Sequence, residues 1–134
     1  MTAPRVLVVD DNQLNIEIAT HLLTKGGMEV ATVLDGSEVL AQVAAFAPDL
    51  VLMDIQLPGI DGLALTQQLR SQPATRSLVI VAFTAFAMKG DREKFIAGGC
   101  DGYIAKPIDV ATFTGEVRAL LPAHSQSPSS EPNE

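Results

Sequence analysis

The fold is decided by an apolar run that ends in two acids, RVLVVDD at residues 5–11. Four further runs of similar length are DLVLMD at 49–54, LVIVAFT at 78–84, the weaker DGYIA at 101–105 and EVATV at 29–33. The strongest of these runs are continuously apolar rather than alternating. That pattern is typical of strands buried on both faces, as in a parallel sheet covered by helices.

Segments with helical periodicity lie between the apolar runs. They are residues 13–25, 37–46, 62–70, 88–98 and 109–121. Asn12, Ser37 and Asp109 are predicted to cap the first, second and fifth of these helices, and Gly26 to end the first. Strands that alternate with helices at this spacing indicate βαβ units. We therefore predict an α/β fold, a doubly wound (βα)5 parallel sheet with helices on both faces.

Composition places limits on the class of protein. The chain has 134 residues, of which 47% are hydrophobic and 19% charged, as expected for one domain with a core rather than a disordered chain. Its formal net charge of -7 disfavours direct nucleic-acid binding, because phosphate neutralisation supplies most of that affinity. The charge favours a divalent cation or a basic partner instead. The single cysteine, Cys100, excludes an intrachain disulfide.

The chain divides into three parts. Residues 1–4 are a lead-in, residues 5–121 form the domain, and residues 122–134 are a Pro/Ser-rich tail that we expect to be disordered. No apolar run reaches the roughly 18–20 residues that span a bilayer. The N-terminus lacks the features of a signal peptide. We therefore expect no membrane association and a cytoplasmic location.

Acidic, hydroxyl and basic side chains follow the predicted strands at their carboxyl ends. Asp10 and Asp11 follow the first strand, Asp54 ends the third, Thr84 ends the fourth, and Lys106 comes after the fifth. In open parallel sheets, ligands bind at this edge, beside the point where the strand order reverses. If the order is 2-1-3-4-5, the carboxylates of the first and third strands converge on one crevice.

Convergence of these carboxylates needs a compensating charge. Two carboxylates about 4 Å apart repel by roughly 4 kcal/mol at an effective dielectric constant of about 20. Either one is protonated or a cation lies among them, and Mg²⁺ suits carboxylates, retained waters and phosphate oxygens. With the Lys106 ammonium and the Thr84 hydroxyl nearby, the set is suited to receiving a phosphoryl group, for which an Asp carboxylate can be the nucleophile.

Four motifs, each at a predicted strand end, resemble the response-regulator receiver domains of two-component signalling. They are VVDDN at 8–12, LMDIQLPGIDG at 52–62, FTA at 83–85 and GYIAKP at 102–107. The resemblance covers residues 5–121 and implies the flavodoxin-like receiver fold with strand order 2-1-3-4-5. DIQLP at 54–58 and TAFAMKGD at 84–91 are most similar to single-domain DivK-type regulators, with the receivers of hybrid histidine kinases close behind.

The resemblance also implies the chemistry of the site. Asp54 would accept a phosphoryl group from a histidine kinase or a histidine phosphotransfer protein. Mg²⁺ would be bound by Asp11, Asp54 and the backbone carbonyl of Gln56, with Asp10 contributing through water. Lys106 would pair with the phosphoryl group. Such a domain promotes only its own phosphorylation and dephosphorylation, so we do not expect an enzyme.

A conformational switch is implied in the same way. Thr84 would hydrogen-bond the phosphoryl group and move toward it, and Tyr103 would rotate inward behind Thr84. The surface formed by the fourth helix, fifth strand and fifth helix would then bind a downstream protein. The Lys106-Pro107 peptide bond is expected to be cis, an isomer found in about 5–6% of X-Pro bonds.

Other interpretations exist for single residues and for the whole chain. Asp10-Asp11 alone would suit a helix N-terminus, Asp54 alone a turn, and Tyr103 a core position. A small Mg²⁺ phosphohydrolase with an aspartyl-phosphate is a second function, but the position of its usual acid/base Asp is occupied by Gln56. A flavin-binding module is a third, disfavoured by acidic strand ends that would repel an anionic phosphate.

Overall fold

The computed structural model describes residues 3–57, 59–85 and 90–122. Its main sheet has five strands, which are β1 (Arg5–Val9), β2 (Glu29–Val33), β3 (Leu50–Asp54), β4 (Val79–Thr84) and β5 (Gly102–Ala105). The strands are parallel and lie in the order β2-β1-β3-β4-β5. The predicted doubly wound α/β sheet is confirmed, and β1 and β3 are neighbours within it.

Within the described residues, four α-helices connect the strands and a fifth follows β5. They are α1 (Gln13–Lys25), α2 (Val39–Phe46), α3 (Gly62–Arg70), α4 (Asp91–Ala97) and α5 (Phe113–Leu120). The bounds of α1 and α3 are as predicted. The prediction for the fourth helix included residues 88 and 89, which lie outside the described residues, as does the predicted tail beyond residue 122. Among the described residues, no helix is both long enough and apolar enough to cross a membrane.

The sheet separates two hydrophobic cores, and this explains the continuous apolar runs. Side chains of β1 alternate between them: Val6 and Val8 pack with the buried faces of α1 and α5, and Leu7 and Val9 pack with those of α2, α3 and α4. All four are fully buried. Because both faces of the strand are covered, successive residues are all apolar instead of alternating with polar ones.

The ends of α1 match the sequence-based predictions. The Asn12 side chain accepts a hydrogen bond from the backbone N–H of Asn15 at 3.1 Å, which makes Asn12 the N-cap of the helix. Gly26 is the C-cap, and its N–H donates to the carbonyl of Leu22 at 3.0 Å. The helix is therefore fixed directly behind the Asp10-Asp11 pair.

The predicted caps Ser37 and Asp109 are wrong. Asp35 accepts from the backbone N–H of Ser37 at 2.9 Å and opens a short 3-10 turn, Gly36–Glu38, that precedes α2. Asp109 likewise accepts from the N–H of Ala111 at 2.9 Å, and α5 begins only at Phe113. An Asp side chain that accepts a hydrogen bond from the N–H two residues later forms a local turn. Because of these turns, α2 and α5 begin later in the sequence than predicted.

A small hairpin and a glycine position α3 beside the end of β3. Residues Gln56–Leu57 pair antiparallel with Ile60–Asp61, and the N–H of Gly62 donates to the carbonyl of Ile55 at 3.1 Å. A Cβ on Gly62 would lie 2.3 Å from the carbonyl oxygen of Asp54, closer than any side chain tolerates. Only glycine allows the helix to begin this close to the strand.

Candidate functional site

The charged residues predicted from the strand ends meet in one cavity at the carboxyl edge of the sheet. Its volume is about 260 Å³. The lining residues are Asp10, Asp11, Asn12, Asn15, Asp54, Gln56, Thr84, Ala85 and Lys106. A larger cavity of about 430 Å³, between the ends of α2 and α3, is lined mainly by aliphatic side chains such as Leu40 and Val43 and lacks this cluster of charges.

Asp10 is fully buried and has several hydrogen-bond donors. Its Oδ2 accepts from the Lys106 ammonium at 2.8 Å and from the Asn15 side-chain amide at 3.4 Å. Its Oδ1 accepts from the backbone N–H of Asn12 at 2.9 Å. Buried charges persist only when they are paired in this way. The N-cap and the first turn of α1 thus supply one group each, from Asn12 and Asn15, to hold the carboxylate.

Asp54 is 4% exposed and faces the same ammonium. Its Oδ1 accepts from the backbone N–H of Gln56 at 2.9 Å, and its Oδ2 lies 3.3 Å from Lys106 Nζ. Burial raises the pKa of Asp54 above its ordinary value, because desolvation outweighs the opposing effects of the Gln56 N–H and Lys106, and Asp10 raises the pKa further. The fold therefore keeps this carboxylate in an environment that destabilises its charge.

Lys106 bridges the two buried carboxylates from the far end of the chain. Its side chain is 13% exposed, and its Nζ lies 4.9 Å from the centre of the Phe83 ring. Its backbone N–H donates to the carbonyl of Thr84 at 2.8 Å, which joins the residue to the end of β4. The Lys106-Pro107 peptide bond is cis.

Three carboxylates are close enough to share a cation. Asp10, Asp11 and Asp54 can each offer one oxygen such that these atoms all lie within 4.8 Å of one another. Asp11 is exposed, and the other two are buried. The three carboxylates carry more negative charge than the single Lys106 ammonium neutralises, and the cavity opens to solvent. Such hard oxygen donors fit Mg²⁺, which retains waters when it binds to proteins.

The two predicted switch residues occupy different places. Thr84 ends β4, is 2% exposed and lines the cavity. Tyr103 lies in β5, is half-buried, and packs with its ring centre 6.3 Å from that of Phe95 in α4. The structure therefore brings Thr84 to the carboxylates, whereas Tyr103 connects β5 to α4 instead of lining the cavity.

Asn15 is a lining residue that the strand-end motifs did not identify. It occupies the third position of α1, five residues after Asp10, so the helix turns its side chain back toward the acid. A signal was present in the sequence: an amide three residues after the Asn12 cap, in a helix that starts directly behind the two acids.

Comparison with known proteins identifies the family to which this chain and its acidic cavity belong. The chain belongs to the response regulator receiver domain family, whose model matches residues 6–118. The polar-differentiation response regulator DivK of Brucella anthropi is 41% identical over 116 residues, which span 87% of this chain and 94% of that protein. DivK of Brucella melitensis has the same identity and coverage.

Solved receiver structures share the fold. The chemotaxis response regulator CheY4 of Vibrio cholerae has a TM-score of 0.83 at 27% identity, covering 90% of this chain and 100% of that one. The receiver domain of the Pseudomonas aeruginosa sensor histidine kinase PA1611, with a magnesium ion coordinated in its active site cleft, has a TM-score of 0.78 at 32% identity, covering 89% and 98%. The resemblance predicted from the sequence motifs is confirmed. The chain is a DivK-like receiver domain of two-component signalling.

Proposed function

We propose that this receiver takes a phosphoryl group from the phosphohistidine of a histidine kinase or a histidine phosphotransfer protein onto Asp54. The observation that supports this most directly is the pairing of buried Asp54 with Lys106, 3.3 Å apart, inside a cavity that holds two further carboxylates. The proposal makes the chain either a single-domain regulator that acts in trans on another protein or the receiver of a hybrid kinase, and it keeps the cytoplasmic location expected from the sequence.

In the proposed transfer, a carboxylate oxygen of Asp54 attacks the phosphorus atom. The new P–O bond forms as the P–N bond to the donor histidine breaks, and the electron pair of that bond leaves with the imidazole nitrogen. The Gln56 N–H, bonded to Oδ1, orients the nucleophile. The Lys106 ammonium and the Thr84 hydroxyl would stabilise the negative charge on the phosphoryl oxygens.

The proposal assigns a Mg²⁺ ion to the acidic residues. Asp11, Asp54 and the backbone carbonyl of Gln56 would hold the ion, and Asp10 would contribute through water. Two observations support the assignment: the carboxylate oxygens lie within 4.8 Å of one another, and both oxygens of Asp10 already accept hydrogen bonds. When bound, Mg²⁺ would supply positive charge opposite the phosphoryl oxygens.

The output would be a change in the surface formed by α4, β5 and α5, which would bind a downstream protein. Thr84 would move toward the phosphoryl group and Tyr103 would turn inward behind it. The Phe95–Tyr103 contact supports this path, because it links β5 to a helix in which Phe95 is the only buried residue. A phosphoryl group that binds one of two conformations better shifts the population toward it.

A signalling role fits the site better than hydrolysis of a small substrate. Gln56 stands two residues after Asp54, where an aspartyl-phosphate hydrolase would need its acid/base carboxylate. The cavity of about 260 Å³ is also small for a substrate with its leaving group. The chain would therefore promote only its own phosphorylation and dephosphorylation.

Phosphotransfer with Asp54→Asn tests the proposal. A histidine phosphotransfer protein carrying labelled phosphate is mixed with wild type and variant in Mg²⁺, and acid-stable and acid-labile label are separated. We expect transfer to wild type and at least a hundredfold less to Asp54→Asn, since the amide is a poor nucleophile. Asp35→Asn, at an exposed carboxylate outside the cavity, should transfer normally. Full retention of labelling in folded Asp54→Asn would overturn the proposal.

A further inference from the structure

One oxygen of Asp10 has two unequal donors. Lys106 Nζ approaches Oδ2 at 2.8 Å, and the Asn15 side-chain amide approaches the same oxygen at 3.4 Å. The other oxygen, Oδ1, is occupied by the backbone N–H of Asn12. The long amide contact is at the upper limit for a hydrogen bond. Lys106 is therefore the stronger donor to this oxygen.

We propose that Asn15 is a positioning residue that holds Asp10 when Lys106 turns to the phosphoryl group. This inference rests on the proposed transfer to Asp54, for which the ammonium must serve a second anion. As Lys106 moves away from Asp10 Oδ2, the Asn15 amide closes to an ordinary hydrogen-bond distance and replaces it. Asp10 then keeps a donor on each oxygen throughout the reaction.

The burial of Asp10 makes such a replacement necessary. The residue has no exposed surface, so bulk solvent does not replace a lost donor on Oδ2, and the one water that the proposed function brings to Asp10 is the one held by Mg²⁺. A buried, charged acceptor that loses its strongest donor is costly, and this cost would oppose the movement of Lys106. A donor already present at 3.4 Å reduces the cost, because it needs to move by only a few tenths of an ångström.

The position and chemistry of Asn15 suit this role. Its backbone N–H is fixed by the Asn12 cap at 3.1 Å, and its side chain is half-buried and lines the cavity. The amide is neutral, so it satisfies Asp10 without introducing a second cation that would compete with Lys106 for the phosphoryl oxygens. A carboxylate of the same shape would repel Asp10 instead.

Beryllofluoride, which mimics a phosphoryl group on Asp, separates this role from a structural one. In Asn15→Ala we expect its apparent affinity at saturating Mg²⁺ to fall about tenfold, the effect of one hydrogen bond to a charged group. The affinity for Mg²⁺ alone should change less than about twofold, because Lys106 still holds Asp10 in that state. Gln13→Ala removes an exposed amide from the same helical turn and should change neither affinity.

Asn15→Asp gives a second, oppositely directed readout. The added carboxylate should leave Mg²⁺ affinity equal or higher, yet weaken beryllofluoride binding, because it repels Asp10 once Lys106 has moved. A purely structural role would lower both affinities together. Unchanged beryllofluoride affinity in Asn15→Ala, or parallel loss of both affinities in the two variants, would overturn the inference.

A measurement on the wild-type protein does not depend on whether a variant folds. The side-chain amide signals of Asn15 in a ¹⁵N-labelled sample are followed by NMR as beryllofluoride is added to the Mg²⁺-saturated protein. We expect the amide proton that faces Asp10 to shift downfield as its hydrogen bond shortens. Absence of that shift in a protein that binds beryllofluoride would overturn the inference about Asn15, whereas absence of beryllofluoride binding would overturn the proposed function.

Discussion

At the scale of single residues, the site combines two buried carboxylates with one ammonium that pairs with both. Lys106 lies 2.8 Å from Asp10 and 3.3 Å from Asp54, and the two acids are 0% and 4% exposed. Buried charges of opposite sign stabilise one another, so removing a carboxylate or the ammonium changes the stability of the fold as well as the properties of the site.

Asp54→Asn is expected to raise the free energy of unfolding at neutral pH. Burial raises the pKa of Asp54, so the folded state binds a proton more readily than the unfolded state does. The free energy of unfolding therefore falls as pH rises from the unfolded-state pKa of Asp54 through its higher folded-state pKa. Above the folded-state pKa, the cost of burying the charged carboxylate is fully present. The Asn side chain carries no such penalty. Its advantage should disappear below about pH 4, where Asp54 is protonated in both states.

Urea unfolding of both proteins between pH 3 and pH 8, in EDTA, measures this difference. Asp35→Asn, at an exposed carboxylate, is the control for the effect of net charge. A variant less stable than wild type at neutral pH would contradict the prediction, because it would mean that the Lys106–Asp54 pair outweighs desolvation.

Lys106→Met should destabilise the fold by about 3 kcal/mol in EDTA, since it leaves two buried carboxylates without their shared cation. The double variant Asp10→Asn with Lys106→Met should recover part of this loss, because the fully buried acid is then neutral. Chemical denaturation at pH 7 measures both, with Lys25→Met at an exposed position of α1 as control. Equal stabilities of the Lys106 and Lys25 variants would contradict the prediction.

At the scale of elements, the placement of α3 depends on one missing side chain. The Cβ of an alanine at Gly62 would lie 2.3 Å from the Asp54 carbonyl oxygen and 2.8 Å from the Ile55 Cα. Both are backbone atoms, which cannot rotate away as a flexible side chain could. Relief of the clash therefore moves the strand end that carries Asp54.

Gly62→Ala is consequently expected to lower the free energy of unfolding by about 2–3 kcal/mol and to weaken Mg²⁺ binding. Gly115→Ala is the matched control. Nothing lies within 4 Å of a Cβ at that position, which is within α5, so the same substitution should stabilise the protein by about 0.5–1 kcal/mol. Thermal unfolding of the two variants gives the comparison, and a neutral or stabilising Gly62→Ala would contradict it.

The elements also show what the sequence can and cannot predict. Apolar runs and helical periods predict all five main strands, most strongly the three central ones, because burial on both faces leaves a continuous apolar signature. The order of the strands is implied by the resemblance to receiver domains and not by these patterns, and the structure has that order. Ser37 and Asp109 are not caps because Asp35 and Asp109 each form a local turn ahead of the helix, and sequence spacing alone does not distinguish such a turn from a cap. Asn15 was missed because its role depends on a side-chain distance to Asp10, which spacing alone does not give.

At the scale of the whole molecule, a formal net charge of -7 makes stability sensitive to cations, and the acidic cavity should concentrate that response. Mg²⁺ at about 100 times its Kd should add about 2.7 kcal/mol of stability by mass action. Asp11→Asn should lose most of this increment while remaining folded, because the residue is exposed.

Thermal unfolding with and without Mg²⁺ measures the increment, and Na⁺ at matched ionic strength corrects for general screening. Asp35→Asn should retain the full response. An increment of the same size in Asp11→Asn as in wild type would contradict the assignment of the ion to this cavity.

The origin of Lys106 has a consequence for the timing of synthesis. Asp10 follows the first strand and Asp54 ends the third, but the ammonium paired with both follows the last strand, at the edge of the sheet. Under the proposed function, a nascent chain that has emerged only as far as β4 would possess Asp54 without the ammonium that would stabilise the phosphorylated product. Phosphoryl acceptance would then become available only once the last strand has left the ribosome and docked, so unfinished chains would not compete with finished ones for phosphoryl groups.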